Sequence, residues 1–134
     1  MKLENVNNLE IKKPALIIAI LSSFLVPFMG SSINIALPSI GKEFSIDAVL
    51  LGWITTSYLL AAAMFLVPFG RIADIHGSKK VFTYGILIFT LASFFSIFAI
   101  SPRELIFFRF IHGIGGAMII STRIAILLSI FPGE

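Results

Sequence analysis

The chain has 134 residues, of which 57% are hydrophobic and 13% charged, and its mean hydropathy is +1.02. A soluble domain carries about 25% charged residues, so this composition excludes an ordinary globule in water and points to lipid as the solvent of the apolar runs. Ten Lys/Arg against seven Asp/Glu leave a net charge of +3, too small for a nucleic-acid surface, and the lack of cysteine excludes a disulfide framework and a thiolate metal site.

A membrane-crossing helix needs about 20 mainly apolar residues. Four stretches meet this and predict an all-α integral membrane fold with four transmembrane helices. After a tail of residues 1–14, the first span covers residues 15–37, with no charge between Lys13 and Lys42. Basic residues ahead of an apolar run also suit a signal peptide. Three further spans follow and no small-residue cleavage site is present, so the segment reads as an uncleaved signal anchor. A polar stretch at 38–49 leads to the second span, 50–69, closed by Arg71. The basic turn 70–80 leads to the third, 81–100, which carries no charge. The tight turn 101–104 leads to the fourth, 105–131, which is longer and contains Arg109 and Arg123. Residues 15–134 thus form one transmembrane domain of antiparallel neighbours. Lys2, Lys12 and Lys13 lie in the tail and Arg71, Lys79 and Lys80 in the second loop, against Lys42 and Arg103 in the other two loops. The positive-inside bias then places both termini in the cytoplasm of a multi-pass cell-membrane protein.

The polar residues that interrupt these spans carry the functional information. At 100° per residue, Ser23, Pro27, Gly30, Ser31, Asn34 and Pro38 share one face of the first span. Pro27 frees a carbonyl within the bilayer, tolerable only where neighbours or a cavity satisfy it. This face suits either a substrate path or packing by small residues. In the second span Trp53 suits an interfacial aromatic anchor, while Tyr58 and the hydroxyls of Thr55, Thr56 and Ser57 lie deeper, facing the same path. The glycines of the turn Gly70-Arg-Ile-Ala-Asp74-Ile-His76-Gly77-Ser-Lys79-Lys80 allow a tight reversal. Asp74, among three cations, is placed to pair locally or to cap a helix start. In the fourth span Arg109, His112, Gly113, Gly116, Ile120 and Arg123 fall within an arc of about 100°. Small residues there admit a neighbouring helix. Arg109 lies about 9 Å inward of Arg103, and an intramembrane arginine costs about 2.5–3.5 kcal/mol unless paired or hydrated. It serves either to hold helices together or to do chemistry. His112 is able to hydrogen-bond a neighbouring helix, and is also a residue type that titrates near neutral pH. His76 reads as solvated.

Four of these segments resemble signatures of the major facilitator superfamily. The turn is similar to the family's loop between spans two and three, Gly-x-Leu-Ala-Asp-Arg-x-Gly-Arg-Lys. Gly70, Ile72, Ala73, Asp74, Gly77 and Lys79 match, whereas Ile75 and Ser78 replace basic residues. The segment Arg109-Phe-Ile-His112-Gly113-Ile-Gly115-Gly116-Ala117 resembles the span-four signature of the drug antiporters, Arg-x-x-Gln-Gly-x-Gly-Ala/Gly-Ala, with His112 in place of Gln. The end of the first span, Ser31-Ser-Ile-Asn34-Ile-Ala-Leu-Pro38, and Trp53-Ile-Thr55-Thr56-Ser57-Tyr58 resemble the fourteen-span drug:proton antiporter branch. Met29 occupies the place of the first-span acid of that branch.

The resemblance implies a secondary transporter that exports drug-like or other small molecules and draws on the proton gradient, with no other cofactor. Gly70, Asp74, Gly77 and Lys79 would gate the inner loop. Arg109, His112, Gly113 and Gly116 would serve coupling and helix packing, and Ser31, Asn34 and Tyr58 would line the substrate path. Such transporters have twelve or fourteen spans built from three-helix repeats, so the chain reads as the N-terminal portion. The implied partners are the lipid bilayer, a small-molecule substrate, and the missing C-terminal helices or a complementary chain. Two other readings are a non-transporting membrane subunit or assembly partner packing through Gly113 and Gly116, and a complete four-helix exporter acting as a dimer. The latter relies on an acid in its first span, and residues 15–37 contain none. No metal-spaced ligands, nucleophile–base pair or phosphate loop suggests an enzyme.

Overall fold

A computed structural model describes residues 2–130. It contains four helices: α1 Lys2–Phe44, α2 Ala48–His76, α3 Ser78–Ser96 and α4 Pro102–Ile130. There is no strand among the described residues. Three helical segments, Leu16–Phe44, Ala48–His76 and Pro102–Ile126, are long and apolar enough to cross a membrane. The last residues of the predicted fourth span, from Phe131 on, lie outside the described residues.

Each helix extends beyond or stops short of its predicted span for an identifiable reason. α1 continues through Pro38, since a proline costs its helix one N–H and one bonded carbonyl but need not end it. It closes instead at Ser45, whose φ of 50° is left-handed, while the Ile46 N–H returns 3.2 Å to the Gly41 carbonyl. That six-to-one bond is a Schellman closure. Asp47 then caps α2, its Oδ1 accepting the Leu50 N–H at 3.1 Å. α2 runs on to His76, so most of the predicted turn is helical. Gly77 alone joins α2 to α3, with φ 97° and ψ 126° and its N–H donating 2.9 Å to the Ala73 carbonyl. A side chain there would meet the steric penalty of positive φ. Asp74 caps nothing: it is exposed in the last turn of α2, and no side chain caps the start of α3.

α3 begins at its basic residues, Lys79 and Lys80, and leaves about 24 Å of apolar helix before Ser96. The apolar run does not end there. Ile97, Phe98 and Ala99 donate in turn to Phe94, Phe95 and Ser96, an i to i+3 pattern that adds about 6 Å. Together these reach about 30 Å, the thickness of the hydrocarbon core. α4 starts with a relative of the capping box in which Glu104 reaches one residue further back than the cap. The Ser101 Oγ accepts the Glu104 N–H at 3.3 Å, the Glu104 carboxylate accepts the Ile100 N–H at 2.9 Å, and Pro102 takes the first helical position.

α4 is the centre of the bundle, flanked by α2 and α3, with α1 packed more lightly against α4 and α2. Small residues on α4 explain this. A Cβ on Gly115 would stand 2.7 Å from the Phe89 nitrogen and 3.0 Å from the Gly85 carbonyl oxygen. α3 and α4 therefore touch backbone to backbone, as small-residue faces permit. Val26, Tyr58, Phe82, Phe89 and Ile119 form the main apolar cluster, and Ala73, Val81 and Met118 a second one near the α2–α3 joint. Among its described side chains, α1 buries a narrow stripe, Ala19, Ser22 and Val26, and leaves Phe24, Phe28 and Ile35 exposed.

Candidate functional site

The site is built where α4 meets α2. Arg109 and His112 stand one helical turn apart, and both are buried, at 5% and 2% exposure. Arg109 Nη1 lies 3.2 Å from His112 Nδ1. Its guanidinium carbon lies 4.7 Å from the centre of the Tyr58 ring, within cation–π range. The His112 ring is held between Phe89 of α3, at 3.9 Å between centroids, and Tyr58 of α2, at 5.5 Å. One histidine thus joins three helices.

Glycines make this approach feasible. A Cβ on Gly113 would collide with the Tyr58 carbonyl oxygen and stand 2.9 Å from the Ala61 Cβ; one on Gly116 would stand 2.9 Å from the Tyr58 hydroxyl. Arg109, His112, Gly113 and Gly116 therefore form one contiguous face, with Ile120 and Arg123 continuing it half-buried.

Polar satisfaction sets this seam apart from the rest of the bundle. Elsewhere buried hydroxyls bond back to their own helix: Ser22 to the Ala19 carbonyl, Ser57 to Ile54, and Thr122 to Met118 at 2.6 Å. Four buried side-chain atoms have no partner among the described residues: Thr55 Oγ1, Tyr58 Oη, Arg109 Nε and His112 Nε2. Arg109, His112 and Tyr58 supply three of them, and Thr55 lies one turn from Tyr58 on α2. Buried polar groups are satisfied in the large majority of cases, so a cluster of exceptions marks a place built for something other than stability. Nor does any carboxylate among the described residues balance the charge. The acidic residues of the chain flank the apolar segments, and the one nearest Arg109 in sequence, Glu104, is engaged at the α4 start.

The other predicted residues fall elsewhere. Ser31 and Asn34 are exposed on α1. Tyr58, grouped with them from sequence, is buried at 6% exposure and turned to α4 instead. The loop signature does not come together as a charge network: Asp74 and Lys79 are exposed, and Lys79 contributes its carbonyl to the Thr83 hydroxyl at 2.9 Å. Its apolar members do the packing. Ala73 is buried against Val81 and Met118, and a Cβ on Gly70 would stand 4.0 Å from the Ser121 Cβ of α4. Sequence reasoning missed Gly85 and Phe89. An isolated glycine amid the apolar third span was the available signal for the first of these.

No group of His, Asp or Glu able to hold a metal occurs among the described residues.

Residues 19–134 match the family model described as Major Facilitator Superfamily. The chain belongs to the major facilitator superfamily. Among curated members of the superfamily, it is 39% identical over 117 residues to a cephamycin export protein of Amycolatopsis lactamdurans, covering 87% of this chain and 24% of that one. It is 32% identical over 119 residues to a riboflavin transporter of Clostridioides difficile, covering 89% and 26% respectively. It is 33% identical over 121 residues to a puromycin resistance protein of Streptomyces alboniger, covering 89% and 24%. The chain thus spans about a quarter of the length of these relatives. The superfamily consists of membrane transporters and not of enzymes, and the relatives' names connect it with export and drug resistance.

Proposed function

We propose that this chain supplies four membrane helices of a proton-coupled exporter of drug-like small molecules, with its N-terminus and the α2–α3 joint on the cytoplasmic side. The observation that carries the reading is the Arg109–His112–Tyr58 contact, buried in a seam that lies within the superfamily match. A buried cation without a carboxylate is costly unless its charge is used, and intramembrane ionisable groups commonly mark ion or substrate pathways. Arg109 and His112 are assigned to coupling, and Gly113 and Gly116 to bringing α2 close enough to share it. Ser31 and Asn34 are assigned to the substrate path, on the side of α1 that the other three helices leave open. The α2–α3 joint of Gly70, Asp74, Gly77 and Lys79 is assigned to the inner gate, where Gly77 lets two helices meet without a loop. Further helices of the superfamily architecture, in the same chain or a complementary one, would cover the exposed apolar side of α1 and complete the substrate cavity.

Proteoliposomes test this directly. The chain is reconstituted alone and together with the remaining helices of a relative, and efflux of a fluorescent lipophilic dye is followed under an imposed pH gradient. Gradient-driven efflux is expected from the completed assembly, with at least a tenfold loss on Arg109→Ala. Efflux indifferent to the pH gradient would refute proton coupling. Efflux by the chain alone would refute the need for further helices, and none from either preparation would refute transport.

A further inference from the structure

The hydrogen bond between Arg109 and His112 fixes more than a distance. Arginine offers only donors, so His112 Nδ1, 3.2 Å from Arg109 Nη1, must present its lone pair. The imidazole is then neutral, with its proton on Nε2, the buried nitrogen that has no partner among the described residues. A proton arriving at the ring has one place to bind, Nδ1, and Arg109 occupies it.

The surroundings leave no other charge to decide the matter. α2 presents Tyr58 to the ring, its only titratable residue between Asp47 and Arg71. α3 presents Phe89; its titratable residues, Lys79, Lys80 and Tyr84, are all exposed. α1 has no charged or titratable residue between Lys13 and Lys42. Only Arg109 of α4 brings a charge against the ring. Once protonated, His112 would hold an N–H and a positive charge where it now holds an acceptor. Two aromatic rings, Phe89 and Tyr58, would remain beside the imidazolium.

We propose that His112 is the proton-binding residue of this seam and that Arg109 is its gate, a proton binding at Nδ1 only when the guanidinium has withdrawn. The step balances simply. Hydronium gives its proton to the Nδ1 lone pair and water is left, while the withdrawing guanidinium gives up its hydrogen bond to Nδ1 and its cation–π contact with Tyr58. Anything that draws Arg109 aside, such as a carboxylate on a further helix or an anionic group on a substrate, thereby opens His112 to protonation. His112 stands where the antiporter signature carries glutamine, a side chain that can accept a hydrogen bond but takes no proton. The idea takes its purpose from the coupling reading above, while its chemistry is testable without transport.

The chain has two histidines and one tryptophan, which makes the test clean. The full chain with His76→Gln is placed in lipid nanodiscs, and the nitrogen-15 resonances of His112 are followed from pH 8 to pH 3.5. The expected high-pH form is the neutral tautomer with the proton on Nε2. In Arg109→Met, the doubly protonated ring is expected at a pH at least one unit higher than in the parent, a tenfold gain in proton affinity. Arg109→Lys, which keeps the charge, should stay within half a unit of the parent. Trp53 fluorescence checks that each variant is folded; should Arg109→Met fail, Arg109→Gln removes the charge while keeping a donor and is expected to rise by at least half a unit. A proton on Nδ1 at high pH, or equal titration with and without the charge at position 109, would overturn the proposal. Absence of dye efflux in proteoliposomes would overturn the transport reading and leave this titration standing.

Discussion

Adding one methyl group at Gly113 tests whether the α2–α4 seam is as close as the structure shows. In Gly113→Ala the new Cβ would stand 2.9 Å from the Ala61 Cβ and 3.2 Å from the Tyr58 carbonyl carbon, with the carbonyl oxygen closer still. Carbon atoms normally rest about 3.5–4.0 Å apart, so the helices must separate by about 0.6–1.1 Å. Neither obstacle is the end of a flexible side chain, so α2 must move as a whole. Arg109, now 4.7 Å from the Tyr58 ring centre, would shift toward the ~6 Å limit of cation–π attraction. Overpacking of this kind costs about 1–3 kcal/mol, of which replacing glycine by alanine in a helix returns about 0.5–1 kcal/mol. A net loss of about 0–2.5 kcal/mol against the parent is expected, and of about 1–3 kcal/mol against a glycine-to-alanine change in open space. Unfolding by SDS titration in mixed micelles, read by Trp53 fluorescence, measures it. Gly30→Ala is the control, since nothing lies within 4 Å of a Cβ there, and it should be neutral or slightly stabilising. If Gly113→Ala proves as stable as Gly30→Ala, the close approach is wrong.

The same assay should rank Gly115→Ala with or below Gly113→Ala in stability, because its Cβ meets backbone atoms of Phe89 and Gly85. Gly116→Ala should be milder, since it meets only the far end of the Tyr58 side chain and no backbone atom. Tyr58→Phe removes a buried hydroxyl without a partner among the described residues and keeps the ring; stability equal to or up to about 1 kcal/mol above the parent is expected. Arg109→Leu removes a buried charge that no carboxylate balances, and should stabilise the four-helix chain by about 1 kcal/mol while abolishing gradient-driven efflux in the completed assembly. Gly77→Ala places a side chain at φ 97° and should cost about 1–3 kcal/mol, seen as increased protease cleavage at the α2–α3 joint.

Sequence pattern carried the architecture further than the contacts. Apolar length located all four helices, because the demand for about 20 apolar residues is insensitive to neighbours. Helix ends were less legible. Pro38 looked like a stop, yet α1 passes through it, and Gly70 looked like the start of a turn, yet α2 runs on to His76. Prolines and glycines weaken a helix without deciding where it ends; capping by Asp47 and Ser101, and left-handed closure at Ser45, decided that here. The α4 face was legible because 3.6-residue periodicity puts Arg109, His112, Gly113 and Gly116 together whatever they touch. Tyr58 shows the limit of that arithmetic. Periodicity tells which residues of one helix share a face, but not which helix they face, and so Tyr58 was grouped with Ser31 and Asn34 instead of with Arg109. The backbone contact of Gly85 with Gly115 was hidden for the same reason.

The unbalanced cation at Arg109 has an electrical consequence. A charge inside a thin insulating layer feels the voltage across it, with about 2.3 kcal/mol for each elementary charge moved through 100 mV. One helical turn is about 5.4 Å of a core about 30 Å thick. A guanidinium displaced by that much along the bilayer normal therefore crosses about a fifth of the field and changes its energy by about 0.4 kcal/mol at 100 mV. That is about a factor of two in the balance between the two positions. With no carboxylate among the described residues of the seam to cancel it, a voltage across the bilayer would polarise the seam by itself.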